Sequence, residues 1–184
     1  MSVLHRRALD EIGACLDRVP GAAFEAVVAE IANASRIALY GVGREGLQIK
    51  GLAMRLFHLG LKAAVVGDMT TPPVGPGDLL VVSAGPGDFS TVSALLGVAR
   101  AGGARTLLVT AEPAGAAAGR ADLVLAVPAQ TMASDRGAAA GSVLPMGSLY
   151  EGALYVLFEM LVLSLRDRLG VSPEQMRANH TNLE

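Results

Sequence analysis

The sequence predicts an α/β fold, a five-stranded parallel sheet with helices on both faces behind an N-terminal helical arm. Three observations predict it. Short apolar runs of strand length alternate with stretches of helical periodicity from about residue 35 onward. The first run, Ile37 to Tyr40, ends in a glycine turn, Gly41-Val42-Gly43, that opens a helix. At such a junction a parallel sheet presents free backbone N–H groups beyond the carboxyl end of a strand. Hydrophobic residues make up 52% of the 184 positions and charged residues 17%, which suits one domain with a sizeable core and apolar surface left for subunit contact.

Residues 1–34 are the arm. Leu4, Ala8, Leu9, Ile12 and Leu16 form one stripe of a first helix, which Pro20 ends; Ala22 to Ala34 is a second helix carrying Phe24, Val27, Val28 and Ile31. The arm is expected to pack on a partner subunit or on the flank of its own domain. Residues 35–184 are the α/β core and tail of the same single domain. The helix after Gly43 places Leu47, Ile49, Leu52, Ala53, Leu56 and Leu59 at helical spacing and stops at Gly60. Lys62 to Val66 is a second strand, and Gly67 to Gly77, with its threonines and prolines, a loop. A third strand, Leu79 to Ser83, leads into a second glycine turn, Ala84-Gly85-Pro86-Gly87, with Asp88 the expected N-cap of a helix from Phe89 to Ala101. Ala104 to Thr110 and Leu123 to Val127 are the fourth and fifth strands, with a small-residue helical turn over 114–119 between them. Pro145 is expected to start a long apolar helix that ends near Leu169 before Gly170. Ser172-Pro173-Glu174 then starts a short helix ahead of the tail.

Composition excludes several function classes. A net charge of −2, no basic cluster and no tryptophan leave nucleic-acid binding without electrostatic support. Glu159 interrupts the most apolar stretch, Gly152 to Leu165, and the N-terminus lacks the apolar run of a signal peptide, so a cytoplasmic protein with no membrane partner is expected. One cysteine, Cys15, excludes an intramolecular disulfide. Three scattered histidines give no metal-ligand spacing, so no metal is expected. Gly41-x-Gly43-x-x-Gly46 matches the dinucleotide fingerprint, but around Lys62 to Gly67 there is no strand-end acid save the nearby Asp68, so no nicotinamide cofactor, and no cofactor of any kind, is expected.

The order of these pieces resembles the sugar isomerase (SIS) domain family, and within it the 6-phospho-3-hexuloisomerases. The family's G-x-G-R-S-G turn and A-M-R-L-x-H-L-G helix correspond to Gly41-Val42-Gly43-Arg44-Glu45-Gly46 and Ala53-Met54-Arg55-Leu56-Phe57-His58-Leu59-Gly60. V-G-E-x-x-T-P corresponds to Val66-Gly67-Asp68-Met69-Thr70-Thr71-Pro72, and G-D-L-L to Gly77-Asp78-Leu79-Leu80. Late in the chain, P-M-G-x-x-x-E is Pro145-Met146-Gly147-Ser148-Leu149-Tyr150-Glu151, and the ending R-x-x-H-x-N-L-E is Arg177 to Glu184. The resemblance implies a three-layer α/β/α sandwich of flavodoxin-like type. It also implies a small-molecule sugar or sugar phosphate as ligand, a homo-oligomer (dimer or tetramer), and isomerisation of 3-hexulose 6-phosphate to fructose 6-phosphate through an enediol.

By the same resemblance the catalytic candidates are Glu151 as general base, Arg44 at a developing oxyanion, and His58 or His180 moving protons between oxygens, His180 from a tail that reaches a neighbour's pocket. The substrate-binding candidates are Gly43, Glu45, Gly85, Gly87, Asp88, Ser90, Thr91 and Glu184. The residues on their own leave other readings open. Glu45 and Glu151 stand where a helix dipole favours a carboxylate, Arg44 suits a surface ion pair, His58 a packing histidine, and Thr181 to Glu184 a frayed end. Two departures fall together: the family's turn serine is Glu45, and its second turn, S-G-S-G-E-T, reads Ala84-Gly85-Pro86-Gly87-Asp88-Phe89. By resemblance the lost hydroxyls hold a sugar phosphate, for which Ser83, Ser90 and Thr91 are the nearby substitutes. A carboxylate repels phosphate and proline lacks an N–H. The alternatives are therefore a sensor that binds a sugar derivative without turnover, or an isomerase of an unphosphorylated or amino sugar.

Overall fold

A computed structural model describes residues 3–137 and 141–183. The arm is two helices, α1 (Val3–Leu16) and α2 (Gly21–Asn33). The core runs β1 (Ile37–Gly41), α3 (Gly43–His58), β2 (Ala63–Val65), β3 (Leu79–Ser83), α4 (Ser90–Ala101), β4 (Arg105–Thr110), β5 (Leu123–Ala126), α5 (Ser148–Leu169) and α6 (Pro173–Ala178). A 3₁₀ turn, Ala118–Arg120, precedes β5. All strand pairs are parallel and the order is β2-β1-β3-β4-β5.

Strand residues alternate between two cores, as the two-residue period of a pleated strand requires. Leu79 and Val81 of β3 pack with Leu39, Leu107 and Leu125 under α2, α3 and α5. Leu80 and Val82 pack with Leu96, Ala99 and Leu108 under α4. The layers are unequal: α1, α2, α3 and α5 share one side, and α4 stands on the other with the 3₁₀ turn. The arm lies on the flank of its own domain, against α5. Its expected stripe is only partly used. Leu4 and Leu9 are exposed, while Cys15 is buried and Ile12 and Leu16 pack on the core. Glu11 ties the arm to the long loop after β5, accepting from the Ser142 hydroxyl and from the Val143 N–H at 3.1 Å.

Two helix starts differ from expectation. Asp88 does not cap α4. The N-cap is Phe89, with no side-chain cap, and the Asp88 carboxylate instead accepts from Ser93 Oγ at 2.6 Å. The long helix begins at Ser148 rather than Pro145, because Met146 and Gly147 are left-handed (φ 55° and 83°). α5 is long and apolar enough to cross a membrane by length and composition. Here Leu154, Leu157, Leu161 and Leu165 are buried in the core, and the helix packs against α1, α2 and α3.

Candidate functional site

The strand order reverses between β1 and β3, because β1 feeds β2 on one side while β3 begins the run on the other. Parallel sheets leave a crevice at the carboxyl ends of strands at such a point. The two glycine turns open there. The first is pulled tight against its own helix: a Cβ on Gly46 would lie 2.5 Å from the Gly41 carbonyl oxygen, so α3 starts in contact with β1. The next residue back, Glu45, is thereby held over the end of β3.

Glu45 is only 8% exposed. Its Oε2 accepts from Ser83 Oγ at 2.6 Å and from the Gly85 N–H at 3.0 Å. Ser83 has one proton and spends it on a carboxylate that can only accept. The buried Tyr150 hydroxyl, 3.2 Å from Ser83 Oγ, is therefore the donor in that contact. Burial pushes the Glu45 carboxyl above the usual carboxylate range, against the pull of the Ser83 and Gly85 hydrogen bonds. Burial, and then the Glu45 charge, push the Tyr150 phenol well above its ordinary value.

Opposite stands the first turn of α5. Glu151, whose side chain is 15% exposed, faces Arg44 with Oε2 3.2 Å from Nε. Arg44 also donates to Ser148 Oγ at 3.0 Å and to the Met146 carbonyl, so its guanidinium joins the start of α3 to the start of α5. Burial raises the Glu151 carboxyl, Arg44 lowers it, and Glu45 raises it further. Val42, Gly43, Arg44, Glu45, Pro86, Phe89, Thr131, Met132, Met146, Gly147, Tyr150 and Glu151 enclose a cleft of about 290 Å³. Among the described residues no group of three or more His, Cys, Asp or Glu is placed to hold a metal ion.

The structure gathers part of the expected set. Gly43, Arg44, Glu45 and Glu151 line the cleft, and Gly85 is buried behind it, packed against Tyr150 and Glu45. Gly87 holds the second turn with φ 96° and donates to the Ala84 carbonyl at 3.0 Å. Asp88, Ser90 and Thr91 are exposed at the start of α4, outside the lining. His58 and His180 stack on each other, ring centroids 5.0 Å apart, at the far end of α3. His58 stands thirteen positions along the helix from Glu45, about 20 Å. Glu184 lies outside the described residues. A larger hollow of about 660 Å³, with Arg36, Lys62, Thr71 and Asn179 in its wall, sits by the amino-terminal ends of β1 and β2 and contains none of the cleft's carboxylates. Sequence reasoning missed Tyr150 and Ser148 as site residues; the signal for Tyr150 was a phenol at the foot of an apolar helix, where a buried hydroxyl needs a partner.

The family model for the SIS domain matches residues 30–155. The chain is 36% identical over 175 residues to a 3-hexulose-6-phosphate isomerase of Mycobacterium gastri, covering 95% of this chain and 87% of that one. It is 32% identical over 154 residues to a 3-hexulose-6-phosphate isomerase of Bacillus subtilis, covering 84% and 83%. A crystal structure of a Methanococcus jannaschii protein, whose description infers a 3-hexulose-6-phosphate isomerase function, superposes with a TM-score of 0.84 at 24% identity. It covers 97% of this chain and 98% of that one, a likeness of fold.

Proposed function

The chain belongs to the SIS domain family, and on that premise we propose that it is a sugar isomerase of the type its relatives are named for, moving a ketose carbonyl between adjacent carbons. One observation carries the reading: a half-buried carboxylate, Glu151, paired with Arg44 across a cleft at the switch point of the sheet. For the relatives' reaction, Glu151 removes the proton from C2 of the 3-ketose. Arg44 then stabilises the enediolate oxygen, and the proton returns to C3 while the hydroxyl proton passes from O2 to O3. The burial that raises the Glu151 carboxyl makes it a better base than a solvent-exposed one. Within one chain His58 and His180 stand about 20 Å away along α3. A role for His180 in moving the oxygen-bound proton therefore requires a neighbouring subunit to bring its tail to this cleft, as a homo-oligomer allows, while His58 is held in the buried end of α3.

A second reading, a sugar-derivative sensor without turnover, is favoured by the way Glu45 and Arg44 are already engaged inside the protein. One experiment separates the two. The protein is incubated in D₂O with fructose 6-phosphate, fructose and glucosamine, and carbon-bound protons are followed by NMR. Exchange with at least one sugar is expected, falling about 10²- to 10⁴-fold in Glu151→Gln while the sugar still raises that variant's melting temperature. Stabilisation of the unmutated protein without exchange on any sugar would establish the sensor.

A further inference from the structure

The second glycine turn has the geometry that ordinarily seats an anionic group, with backbone donors at the end of a parallel strand leading into a helix. The donors of its strand end and glycines, Ser83 to Gly87, can be accounted for one by one. The Ala84 N–H goes to the Val109 carbonyl and the Gly87 N–H to the Ala84 carbonyl, both at 3.0 Å. Pro86 has no N–H. The Gly85 N–H and the Ser83 hydroxyl go to Glu45 Oε2. The seat is thus filled from within by a carboxylate of the chain's own. That carboxylate cannot swing aside with its backbone, because Gly46 is pressed against the Gly41 carbonyl.

Both hydrogen bonds fall on Oε2. Oε1 meets no hydrogen-bond donor among the described residues, and it is not one of the fully enclosed atoms without a partner. Glu45 lines the cleft, so Oε1 is an open acceptor in its wall. A group placed against it must donate a hydrogen bond, and a second anion there would face a carboxylate that already holds the Ser83 and Gly85 donors. Val42, Pro86 and Phe89 add no charge to the neighbouring wall, and Arg44, the cation in the lining, is already paired with Glu151.

We propose that Glu45 determines what this cleft accepts. It occupies the anion seat of the second glycine turn, and the sugar bound here presents a hydroxyl or ammonium group to Glu45 where a phosphoryl group would otherwise sit. The proposal rests on the reading that this cleft binds a sugar, and it narrows the substrate to a ketose or amino sugar without phosphate at that subsite.

The test is thermal unfolding with fructose, glucosamine, fructose 6-phosphate, glucosamine 6-phosphate and inorganic phosphate, with Kd taken from the concentration dependence. The unmutated protein is expected to bind fructose or glucosamine at least tenfold more tightly than the corresponding 6-phosphate, and to be unmoved by inorganic phosphate; a preference for glucosamine over fructose identifies the donor as ammonium. Glu45→Ser frees Gly85 and Ser83 and is expected to shift the ratio of the two Kd values at least tenfold toward the phosphorylated sugar. Glu45→Gln, which keeps the acceptor for Gly85 and Ser83 but not the charge, serves the same comparison if Glu45→Ser does not fold. Tighter binding of fructose 6-phosphate than of fructose by the unmutated protein overturns the proposal, as does a ratio that both variants leave unchanged, or no response to any sugar. Proton exchange on fructose 6-phosphate together with that tighter binding would sink the proposal and leave the isomerase reading standing. Binding of fructose without exchange on any sugar would do the reverse.

Discussion

Replacing Ser83 by alanine tests the buried chain Tyr150–Ser83–Glu45. Ser83 is wholly buried and its methylene stays in the variant, so packing is nearly unchanged. Two polar losses remain. Glu45 loses a donor at 2.6 Å, and hydrogen bonds to charged groups contribute about 1.5–3 kcal/mol. The Tyr150 hydroxyl loses its acceptor at 3.2 Å, and a buried group left unpaired costs about 1–3 kcal/mol. Taken near the low ends, Ser83→Ala should destabilise the fold by about 3 kcal/mol. In a chain of 184 residues that lowers Tm by about 6–12 °C. Tyr150→Phe alone should cost about 1 kcal/mol. Urea unfolding of both single variants and the double variant, compared at a common m value, reads the coupling. Once the phenol is gone, Ser83→Ala strands no hydroxyl, so the double variant should cost about 1 kcal/mol less than the sum of the singles. Strict additivity would show that the tyrosine hydroxyl does not depend on Ser83, and would refute the donor assignment.

Two further predictions concern the same cleft. Glu45 has its folded pKa raised by burial, so its contribution to stability is fully present below the unfolded value and is lost as pH rises through the folded one. The Tm of the unmutated protein, relative to Glu45→Gln, should therefore fall as pH rises above the ordinary carboxylate value of about 4; a difference that does not change with pH would show that Glu45 keeps an ordinary pKa. Gly46→Ala puts a Cβ 2.5 Å from the Gly41 carbonyl oxygen and should cost about 3 kcal/mol or more. Gly51→Ala, with nothing within 4 Å, should gain about 0.5–1 kcal/mol of helix stability; equal denaturation midpoints would remove the case for the tight β1–α3 junction.

What the sequence disclosed and what it hid divide by range. The buried strands Ile37–Gly41 and Leu79–Ser83 were legible because four or five apolar residues between glycine-rich turns leave few other choices. Arg44 and Glu151 were legible as a pair of motifs, and the fold brings them to 3.2 Å. Local competition was harder to read. Asp88 looked like a cap, but its carboxylate took the Ser93 hydroxyl instead, and the start of α5 moved because Met146 and Gly147 turned left-handed before it. Least legible was Glu45. From its neighbours it was a first-turn carboxylate. Its meaning lies in Ser83 and Gly85, 38 and 40 positions on, which only the pairing of β1 with β3 brings within reach. The histidines illustrate the converse: both belong to recognisable motifs, yet helix length alone sets them apart from the carboxylates in a single chain.

The ties that complete the cleft also fix a timetable for the growing polypeptide. Arg44 meets Ser148, and Arg55 meets Glu159, each across 104 positions of chain; Glu11 waits for Ser142 across 131. At ribosomal speed, 104 positions are roughly 5 to 20 s of synthesis. Over that interval the sheet face of Leu39, Val81, Leu107 and Leu125 is built strand by strand, with α2 and α3 but not yet α5 to cover it. A chain stalled before Ser148 therefore has its greasy sheet side only partly covered, by α2 and α3, and no finished cleft. α5, translated after every strand of the sheet, both completes the core and brings Glu151 to the cleft.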